Sequence, residues 1–377
     1  MMKRRLYTPG PTPIPPDAVL AMAQPIDYHR GADASDLFRR CADRLKTVFA
    51  TDSDVAILTS SGTGAMEAAV VNLLSAGDKV VVIESGKFGE RWGEIADAYG
   101  LAAARISVAW GDSVDPAALE RALRDHPDTR AVFATLCETS TGALHDVRSL
   151  ASITNSQDAL LIVDAVSALG ADEIRMDAWG VDAVVSCSQK GLMTPPGLAF
   201  LSFGPRASEA SRSANLPKFY FDYAKYVASL ANNTTPYTPA ISLLYGLDAA
   251  LAGMGREGMD AIYARHARMA RATREGVKAT GLAVFASSPA NTLTSIRLPE
   301  SFDGKELQGR LRDDHGMVFA GGQGRLAGRI VRIAHLGWMD DYDALTAVAA
   351  LERGLADMGH EVAVGKGVQA AQEVLAD

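Results

Sequence analysis

The chain has 377 residues, which is long enough for two domains that each bury a substantial core. Hydrophobic residues make up 48% and charged residues 22%, proportions typical of a globular enzyme. The formal net charge of −8 argues against a nucleic acid or an anionic membrane as the main partner. An anionic substrate must therefore be held by local groups rather than by the overall field of the protein.

Cysteine and histidine spacing indicates neither a disulfide framework nor a metal site. The three cysteines, Cys41, Cys137 and Cys187, show no CxxC spacing, and the seven histidines form no HExxH or HxxxH pair. No apolar run reaches the length of a membrane span, and prolines interrupt the chain soon after its basic start. We therefore expect a cytoplasmic protein with free thiols, no metal and no contact with a membrane.

Residues 1–16 are expected to lie extended against the fold, because five of the eight residues from 9 to 16 are prolines. Gly10 lies between two of these prolines, and its missing side chain lets the backbone approach a ligand closely. The next pattern predicts a helix from Asp33 to Thr47, with apolar residues on one face.

Strands and helices alternate from Asp54 to Phe203, which predicts a doubly wound, mostly parallel sheet in an α/β domain. Polar loops follow the strands of this region, so they are expected to meet at one edge of the sheet. Four loops carry distinct chemistry: small residues at 60–64, the aromatic Phe88, the acid Asp164 and the amine of Lys190. Their combination is more specific than any one of them alone.

The first two loops suggest a flat, anionic ligand. Residues 60–64 precede a helix predicted from Ala65 to Leu74, and free amides at a helix start favour an anion. A plain capped helix explains the same residues, and the lysine of a Walker motif is missing. Phe88 is expected at a loop tip before a helix from Glu90 to Tyr99, where its ring either stacks on a ligand or anchors the loop.

Lys190 lies between two apolar runs, Ala183–Val185 and Leu198–Phe203, that are typical of buried strands. Desolvation lowers the proton affinity of a lysine, and a neutral amine is a nucleophile. The pattern therefore favours a lysine that forms a Schiff base. The alternative is a surface lysine at a strand end, since lysines are mostly exposed.

Asp164 ends a buried strand that begins at Leu160, in the place where α/β folds bind ligands. Pyridoxal phosphate needs a lysine for its aldehyde and an acid that keeps its pyridine nitrogen protonated. One turn–helix–strand unit separates Asp164 from Lys190, so both side chains can face the same cleft. The alternative for Asp164 is an N-cap of a helix that follows the strand.

A long helix predicted from Met259 to Lys278 leads into a shorter α+β pattern. Its expected elements are strands at Leu293–Arg297, Val318–Ala320 and Ile330–Ala334 and helices at Gly304–Asp313 and Tyr342–Met358. We expect an extended segment at 1–16, a large domain at 17–258 and a small C-terminal domain at 259–377.

Eight motifs between residues 7 and 338 resemble those of the class V aminotransferases, and above all the alanine–glyoxylate and serine–pyruvate (serine–glyoxylate) group. They are TPGP, SSGTGAMEAAV, GKFGER, ETSTGAL, VDAVSALGA, SQKGLMTPPG, TPYTPAISLLYGL and GGQGRLAGRIVRIAHLGW, in the order that the family keeps. The resemblance implies the aspartate-aminotransferase-like fold of pyridoxal-phosphate enzymes, called fold type I, with the cofactor pyridoxal 5′-phosphate.

The resemblance also implies roles for individual residues. Lys190 would form the internal aldimine and then move the proton during the reaction, while Asp164 would pair with the pyridinium nitrogen. Phe88, where many members have tryptophan, would stack on one face of the ring. The remaining cofactor contacts would come from Val166 on the other face, Thr139 near the ring, and Ser61, Gly62, Thr63 and Gln189 at the phosphate.

Arg332, in VRIAHLG, matches the arginine with which the family grips the substrate α-carboxylate, and Gly10 would lend its backbone beside the substrate. A guanidinium fork suits a planar carboxylate. The alternative for Arg332 is a surface charge on an edge strand. Thr235 and Thr238, in TPYTP, resemble residues that reach the phosphate of the neighbouring subunit, which implies a homodimer with shared active sites.

The function implied is a transaminase that works by a ping-pong mechanism, from a small amino acid such as alanine or serine to glyoxylate or pyruvate. A class V lyase or cysteine desulfurase is one alternative, but residues 313–328 hold no cysteine for desulfuration. A non-catalytic relative is another. A third is an aspartate-specific aminotransferase. Tyr28, His29 and Arg30 are candidates for its specificity, since a second basic group at the pocket mouth would favour a dicarboxylic substrate.

Overall fold

The computed structural model describes residues 2–376. Its strands are β1 Arg5–Tyr7, β2 Val55–Ser60, β3 Lys79–Glu84, β4 Ala102–Ser107, β5 Ala131–Thr135, β6 Cys137–Glu138, β7 Ala143–Leu144, β8 Leu160–Asp164, β9 Ala183–Cys187, β10 Gly197–Phe203, β11 Ala283–Val284, β12 Leu293–Arg297, β13 Met317–Gly321 and β14 Ile330–Ala334. Its helices are α1 Pro16–Met22, α2 Ala32–Phe49, α3 Gly62–Leu73, α4 Lys87–Ala98, α5 Pro116–Asp125, α6 Val147–Ser156, α7 Met176–Trp179, α8 Pro205–Ala210, α9 Tyr223–Leu230, α10 Ile241–Glu257, α11 Met259–Ala279, α12 Gly304–Asp314, α13 Asp341–Asp357 and α14 Lys366–Ala376, with a 3-10 helix at Gly324–Leu326.

The larger sheet has seven strands in the order β2-β10-β9-β8-β5-β3-β4. Every neighbouring pair is parallel except those that involve β10, which runs antiparallel to both β2 and β9. All residues of β5, β8 and β9 are buried, which explains why these strands read as continuous apolar runs rather than as alternating ones. The prediction of a mostly parallel, doubly wound sheet is confirmed.

Helices cover both faces of this sheet and form two separate hydrophobic clusters. One cluster joins α2, α6 and α10 to one face, as shown by Leu45, Leu150 and Leu247. The other joins α3 and α4 to the opposite face, where Trp92 stacks on Phe133 with ring centroids 4.6 Å apart. Because both faces are covered, only the ends of the strands remain open for chemistry.

The smaller sheet has the order β1-β13-β14-β12-β11. Its first strand comes from the chain's N-terminal segment, since β1 pairs in parallel with β13 and places Leu6 opposite Val318. Tyr7 is buried there and meets Phe319 edge to face at 5.7 Å. The proline-free residues 5–7 can join the ladder, whereas the prolines from Pro9 onward cannot donate to one. No helix among residues 2–376 is both long and apolar enough to cross a membrane.

Candidate active site

The strands of the larger sheet bring their carboxyl ends to one edge, where the site residues gather. The strand β2 ends at Ser60, β8 ends at Asp164 and β9 ends at Cys187. In the register of β10 with its two neighbours, Gly197 faces Ser60 and Ala199 faces Cys187, so the loop that carries Lys190 opens at this same edge.

Lys190 lies in the connection between β9 and β10 and is covered by the N-terminal segment. Its Nζ donates to the carbonyl of Pro9 at 2.5 Å, and the hydroxyl of Thr12 donates to the carbonyl of Lys190 at 2.9 Å. Burial lowers the pKa of the Lys190 amine from its ordinary value. The interpretation of Lys190 as a surface lysine is therefore wrong.

Gly10 fits against Lys190 so closely that no side chain has room there. A Cβ at this position would lie 2.4 Å from Lys190 Nζ, and the φ of 139° lies in a region that favours glycine. The N-terminal segment thus leaves β1, crosses the lysine and enters α1, which joins the smaller sheet to the edge of the larger one.

Asp164 is buried, with 5% of its surface exposed. Its Oδ1 accepts the amide N–H of Val166 at 2.7 Å, and Oδ2 has no hydrogen-bond partner within residues 2–376. A turn follows rather than a helix, so the N-cap interpretation is wrong. Burial raises the pKa of the carboxyl to about 7, against an ordinary value of 3.8.

The start of α3 lies beside the turn that follows Asp164. The helix begins at Gly62, three residues before the predicted Ala65, and Ser61 caps it by accepting the amide of Gly64 at 3.4 Å. A Cβ on Gly62 would lie 2.7 Å from Val166 Cγ2, so α3 approaches the turn after β8 closely. The first amides of the helix have no partners within it and can bind an anion.

Phe88 lies in the first turn of α4 and not at a loop tip, because this helix begins at Lys87 rather than at Glu90. The buried carboxylate of Glu138 accepts the amides of Phe88 at 3.0 Å and Gly89 at 2.9 Å. It also accepts the amide and hydroxyl of Ser140. Glu138 thus binds the first amides of α4 and holds the start of this helix in place. Burial raises the pKa of the Glu138 carboxyl.

A second cation, that of Arg91, enters the site from α4. Its Nη1 donates to the hydroxyl of Thr63 at 3.2 Å, and its guanidinium carbon lies 5.0 Å from the centroid of the Phe88 ring. Within residues 2–376 it forms no ion pair. Sequence reasoning missed both Arg91 and Glu138, although they lie inside the quoted motifs GKFGER and ETSTGAL.

Arg332 is buried in the middle of the smaller sheet, with 5% of its surface exposed. Its Nε donates to the carbonyl of Gly321 at 2.9 Å, and its Nη1 donates to the carbonyl of Thr139 at 2.7 Å. Among the described residues no carboxylate pairs with it. Burial lowers its pKa to about 10, so it stays protonated at neutral pH. The interpretation as an edge-strand surface charge is wrong, since β14 lies between β13 and β12.

The carbonyl of Thr139 thus accepts a hydrogen bond from Arg332. The hydroxyl of Thr139 donates to Ser167 Oγ at 2.7 Å. Gln189 precedes Lys190, and its Oε1 is buried without a hydrogen-bond partner in the described chain. These contacts tie the loop after β6, the turn after β8 and the strand β14 into one cleft.

Other predicted residues lie apart from this cluster in the single chain. The hydroxyl of Thr235 donates to the carbonyl of Tyr237 at 2.5 Å, and Thr238 is exposed. Tyr28 is 70% exposed and meets the ring of His29 edge to face at 5.1 Å, and Arg30 is exposed as well. No hydrogen bond in the described structure connects these residues to Lys190 or Arg332.

The residues present fit pyridoxal phosphate by their own chemistry. Asp164 offers a free carboxylate oxygen, Gln189 offers a buried unpaired amide oxygen, and α3 offers amides at its start. Gly10 and Gly62 have no side chain, and a Cβ at either position would collide with Lys190 or Val166. A cleft with an amine of lowered pKa, an acid and an unpaired guanidinium is the kind of site that binds an aldehyde cofactor together with a carboxylate substrate.

The chain matches the family Aminotransferase class-V over residues 8–324. It is 43% identical to a "soluble hydrogenase, small subunit" of a Synechococcus species, over 99% of this chain and 98% of that one. It is 37% identical to the L-aspartate–glyoxylate aminotransferase of Paracoccus denitrificans, over 98% of this chain and 95% of that one. The solved structure of alanine–glyoxylate aminotransferase from a Nostoc species covers 94% of this chain and 96% of its own, with a TM-score of 0.89 and 30% identity.

The fold and the site define an aminotransferase of fold type I. The family match covers most of the chain, and the chain therefore belongs to the class V aminotransferases, which depend on pyridoxal phosphate. The predicted resemblance and fold class are confirmed by these matches.

Proposed function

We propose that the enzyme moves an amino group from a small amino acid such as alanine or serine to a small 2-oxo acid, glyoxylate or pyruvate. The observation that carries this proposal is the buried guanidinium of Arg332, which has no carboxylate partner among the described residues. An isolated buried charge is costly, and a planar carboxylate is its natural bidentate partner. Amino acids and 2-oxo acids share the α-carboxylate that this group would bind.

The same guanidinium would bind donor and acceptor in turn. Its Nε and Nη1 are fixed by the carbonyls of Gly321 and Thr139, so only its remaining donors are free for one carboxylate at a time. One carboxylate site for two substrates favours a ping-pong mechanism, in which the first product leaves before the second substrate enters.

Lys190 and Asp164 would bind the cofactor. Pyridoxal phosphate, when bound, supplies an aldehyde and an electron sink for carbanion chemistry. Lys190 Nζ, with its lowered pKa, would bind the aldehyde carbon with loss of water. The amine of the donor would displace it, and the freed Nζ would be placed to take the proton from Cα of the donor. The carboxylate of Asp164 would hold a proton on the ring nitrogen through its free Oδ2.

The remaining cofactor contacts are proposed from position. Phe88 and Val166 would enclose the ring, and Ser61, Gly62 and Thr63 would hold the phosphate at the start of α3 with Gln189. Thr139 would hydrogen-bond near the ring. Arg91, which sequence reasoning missed, would add a positive charge next to Thr63, because a phosphate dianion away from water needs a charged partner.

We also propose a homodimer whose active sites include Thr235 and Thr238 of the partner subunit. Several large apolar side chains are exposed on the single chain: Val19 at 48%, Leu20 and Ile26 at 69%, Tyr28 at 70% and Phe219 at 72%. Such residues indicate a surface that is covered in the assembled protein. The three unpaired, buried thiols support a reducing, cytoplasmic setting for the enzyme.

The alternatives differ in support. A desulfurase needs an accessible thiolate, but Cys41, Cys137 and Cys187 are all buried, and burial raises the pKa of the latter two to about 12. An aspartate donor is favoured by the similarity to the L-aspartate–glyoxylate aminotransferase. We therefore treat aspartate as the second candidate donor.

The experiment that tests this proposal is a half-reaction followed by visible absorption. The holoenzyme is mixed with L-alanine, L-serine, L-aspartate or L-glutamate, and the cofactor band should bleach with one of them and return on addition of glyoxylate or pyruvate. Bleaching by aspartate alone would establish the second candidate. A band that stays fixed with every donor would refute the transaminase proposal, and Lys190→Ala should abolish the band of the attached cofactor.

A further inference from the structure

A cavity of about 750 Å³ lies beside the smaller sheet, lined by residues that take no part in the proposed chemistry. It is a partly open depression bordered by the end of β12, the segment that follows it and the chain from the 3-10 helix to β14, and its three arginines are exposed. Its charged and aromatic lining consists of Arg297, Arg325, Arg329, Glu300, Phe285 and Phe302. The volume is within the range of pockets that bind small molecules.

The three arginines of the cavity carry charge that the described protein does not neutralise. Within residues 2–376 none of them lies within ion-pair distance of a carboxylate, although arginines elsewhere, such as Arg268, are paired with acids. Glu300 is the one acidic residue of the lining. Three guanidinium groups therefore line one space in a chain whose overall net charge is −8. This arrangement is favourable when an anion occupies the space.

Two of these guanidinium groups are held on aromatic rings. The guanidinium carbon of Arg297 lies 4.8 Å from the centroid of Phe285, and that of Arg325 lies 4.2 Å from the centroid of Trp110. A ring fixes the plane of a guanidinium through its face and leaves the N–H edges free for hydrogen bonds. The arginines are therefore oriented before any ligand binds, which lowers the entropy cost of binding.

The segment that carries Trp110 packs against the segment that carries Phe285. A Cβ on Gly111 would lie 2.9 Å from Phe285 Cε1, and the amide of Ser287 donates to the carbonyl of Gly111 at 2.9 Å. The backbone of Arg329 lies beside the end of β12, where its carbonyl accepts the amide of Leu298 at 3.0 Å.

We propose that this cavity is a binding site for a small polyanion, that is, a molecule with two or more phosphate or carboxylate groups. Several guanidinium forks can each take one anionic group in a bidentate manner, whereas a single carboxylate would leave two of them without a partner. The site is separate from Arg332, which lies on β14 and binds the carbonyls of Gly321 and Thr139.

The test is a titration of the holoenzyme with inorganic pyrophosphate, and in parallel with citrate, in low-salt buffer free of phosphate. The holoenzyme is used because its cofactor fills the phosphate site at α3. We expect saturable binding of one molecule per chain by calorimetry, a rise in the Tm, and an affinity that weakens as salt is added. Binding of pyrophosphate alone would assign the site to phosphates, and binding of citrate alone would assign it to carboxylates.

Variants locate the binding. Arg325→Gln with Arg329→Gln should weaken it at least tenfold, and the single variant Arg329→Gln serves if the double variant does not fold. Arg353→Gln, an exposed arginine on α13 outside the cavity, should stay within twofold of the wild type. Equal affinity in all variants would place the anion elsewhere, for example at Arg332, and would overturn the proposal. No heat and no shift with either probe would overturn it as well.

Discussion

Asn in place of Asp164 should stabilise the enzyme without cofactor and destabilise the enzyme with cofactor. Burial raises the pKa of Asp164 from 3.8 to about 7, and its Oδ2 has no partner among residues 2–376. The folded protein thus binds this proton more tightly than the unfolded chain does. The carboxyl therefore lowers the free energy of unfolding at every pH at which the unfolded chain has released its proton.

The magnitude and the pH window follow from this shift. Below about pH 4 the carboxyl is protonated in both states and costs nothing. Between pH 4 and 7 the stability of the apoenzyme falls by about 1.4 kcal/mol per pH unit, and above pH 7 the loss is constant. The full shift of about three pKa units corresponds to about 4 kcal/mol.

The assay is urea unfolding of apoenzyme and holoenzyme between pH 5 and pH 8.5. Asp164→Asn should make the apoenzyme more stable than wild type, by a margin that grows up to pH 7, and should make the holoenzyme less stable. The matched control is Asp172→Asn, since Asp172 is also buried with a pKa raised to about 6 but accepts the amide of Asn291 outside the cleft. It should affect both forms equally. A margin that does not change with pH, or a less stable apoenzyme at pH 8, would refute the reasoning.

Three further substitutions test other contacts of the site. Arg332→Lys keeps the charge but loses the fork, so the KM for donor and acceptor should rise about 10- to 100-fold while the cofactor spectrum stays unchanged; unchanged KM values would show that the carboxylate binds elsewhere. Arg91→Met should weaken cofactor binding about tenfold in an equilibrium titration of the apoenzyme, and an unaltered Kd would remove Arg91 from the phosphate site. Glu138→Gln should lower the free energy of unfolding by about 1–3 kcal/mol and change the circular dichroism of the bound cofactor, because it loosens the start of α4; if the stability falls and the dichroism does not change, the role of Glu138 is structural only.

The edge of the larger sheet could be predicted from the sequence because every step depends on local patterns. Buried parallel strands appear as continuous apolar runs, and their carboxyl ends meet at one side. These patterns predict that Asp164 and Lys190 share one cleft, and both lie at this edge in the structure. It needed only the order of the strands and not their exact register.

Contacts between distant parts of the chain could not be predicted in this way. Lys190 Nζ meets the carbonyl of Pro9 across 181 positions, and Glu138 meets the amide of Gly89 across 49. Propensity and periodicity describe neighbours along the chain, so they do not show which amide will lie beside a given carboxylate. The early start of α4 at Lys87 has the same cause, because the distant carboxylate of Glu138 binds the amide of Phe88. The start of α3 at Gly62 differs, since its cap is the neighbouring Ser61.

The charges of the cleft suggest why the apoenzyme and the holoenzyme should differ so strongly. Burial disfavours the charged form of three groups together: it raises the pKa of Asp164, and it lowers those of Lys190 and Arg332. None of the three has a full counter-charge among the described residues. A different ligand group would be the partner of each one. Asp164 would meet a protonated ring nitrogen, Lys190 an aldehyde and Arg332 an α-carboxylate. On the proposed function, the groups that weaken the apoenzyme are the ones that would bind the cofactor and the substrate. Ligands should then raise the stability in two separable steps, first with the cofactor and then with a carboxylate inhibitor at Arg332.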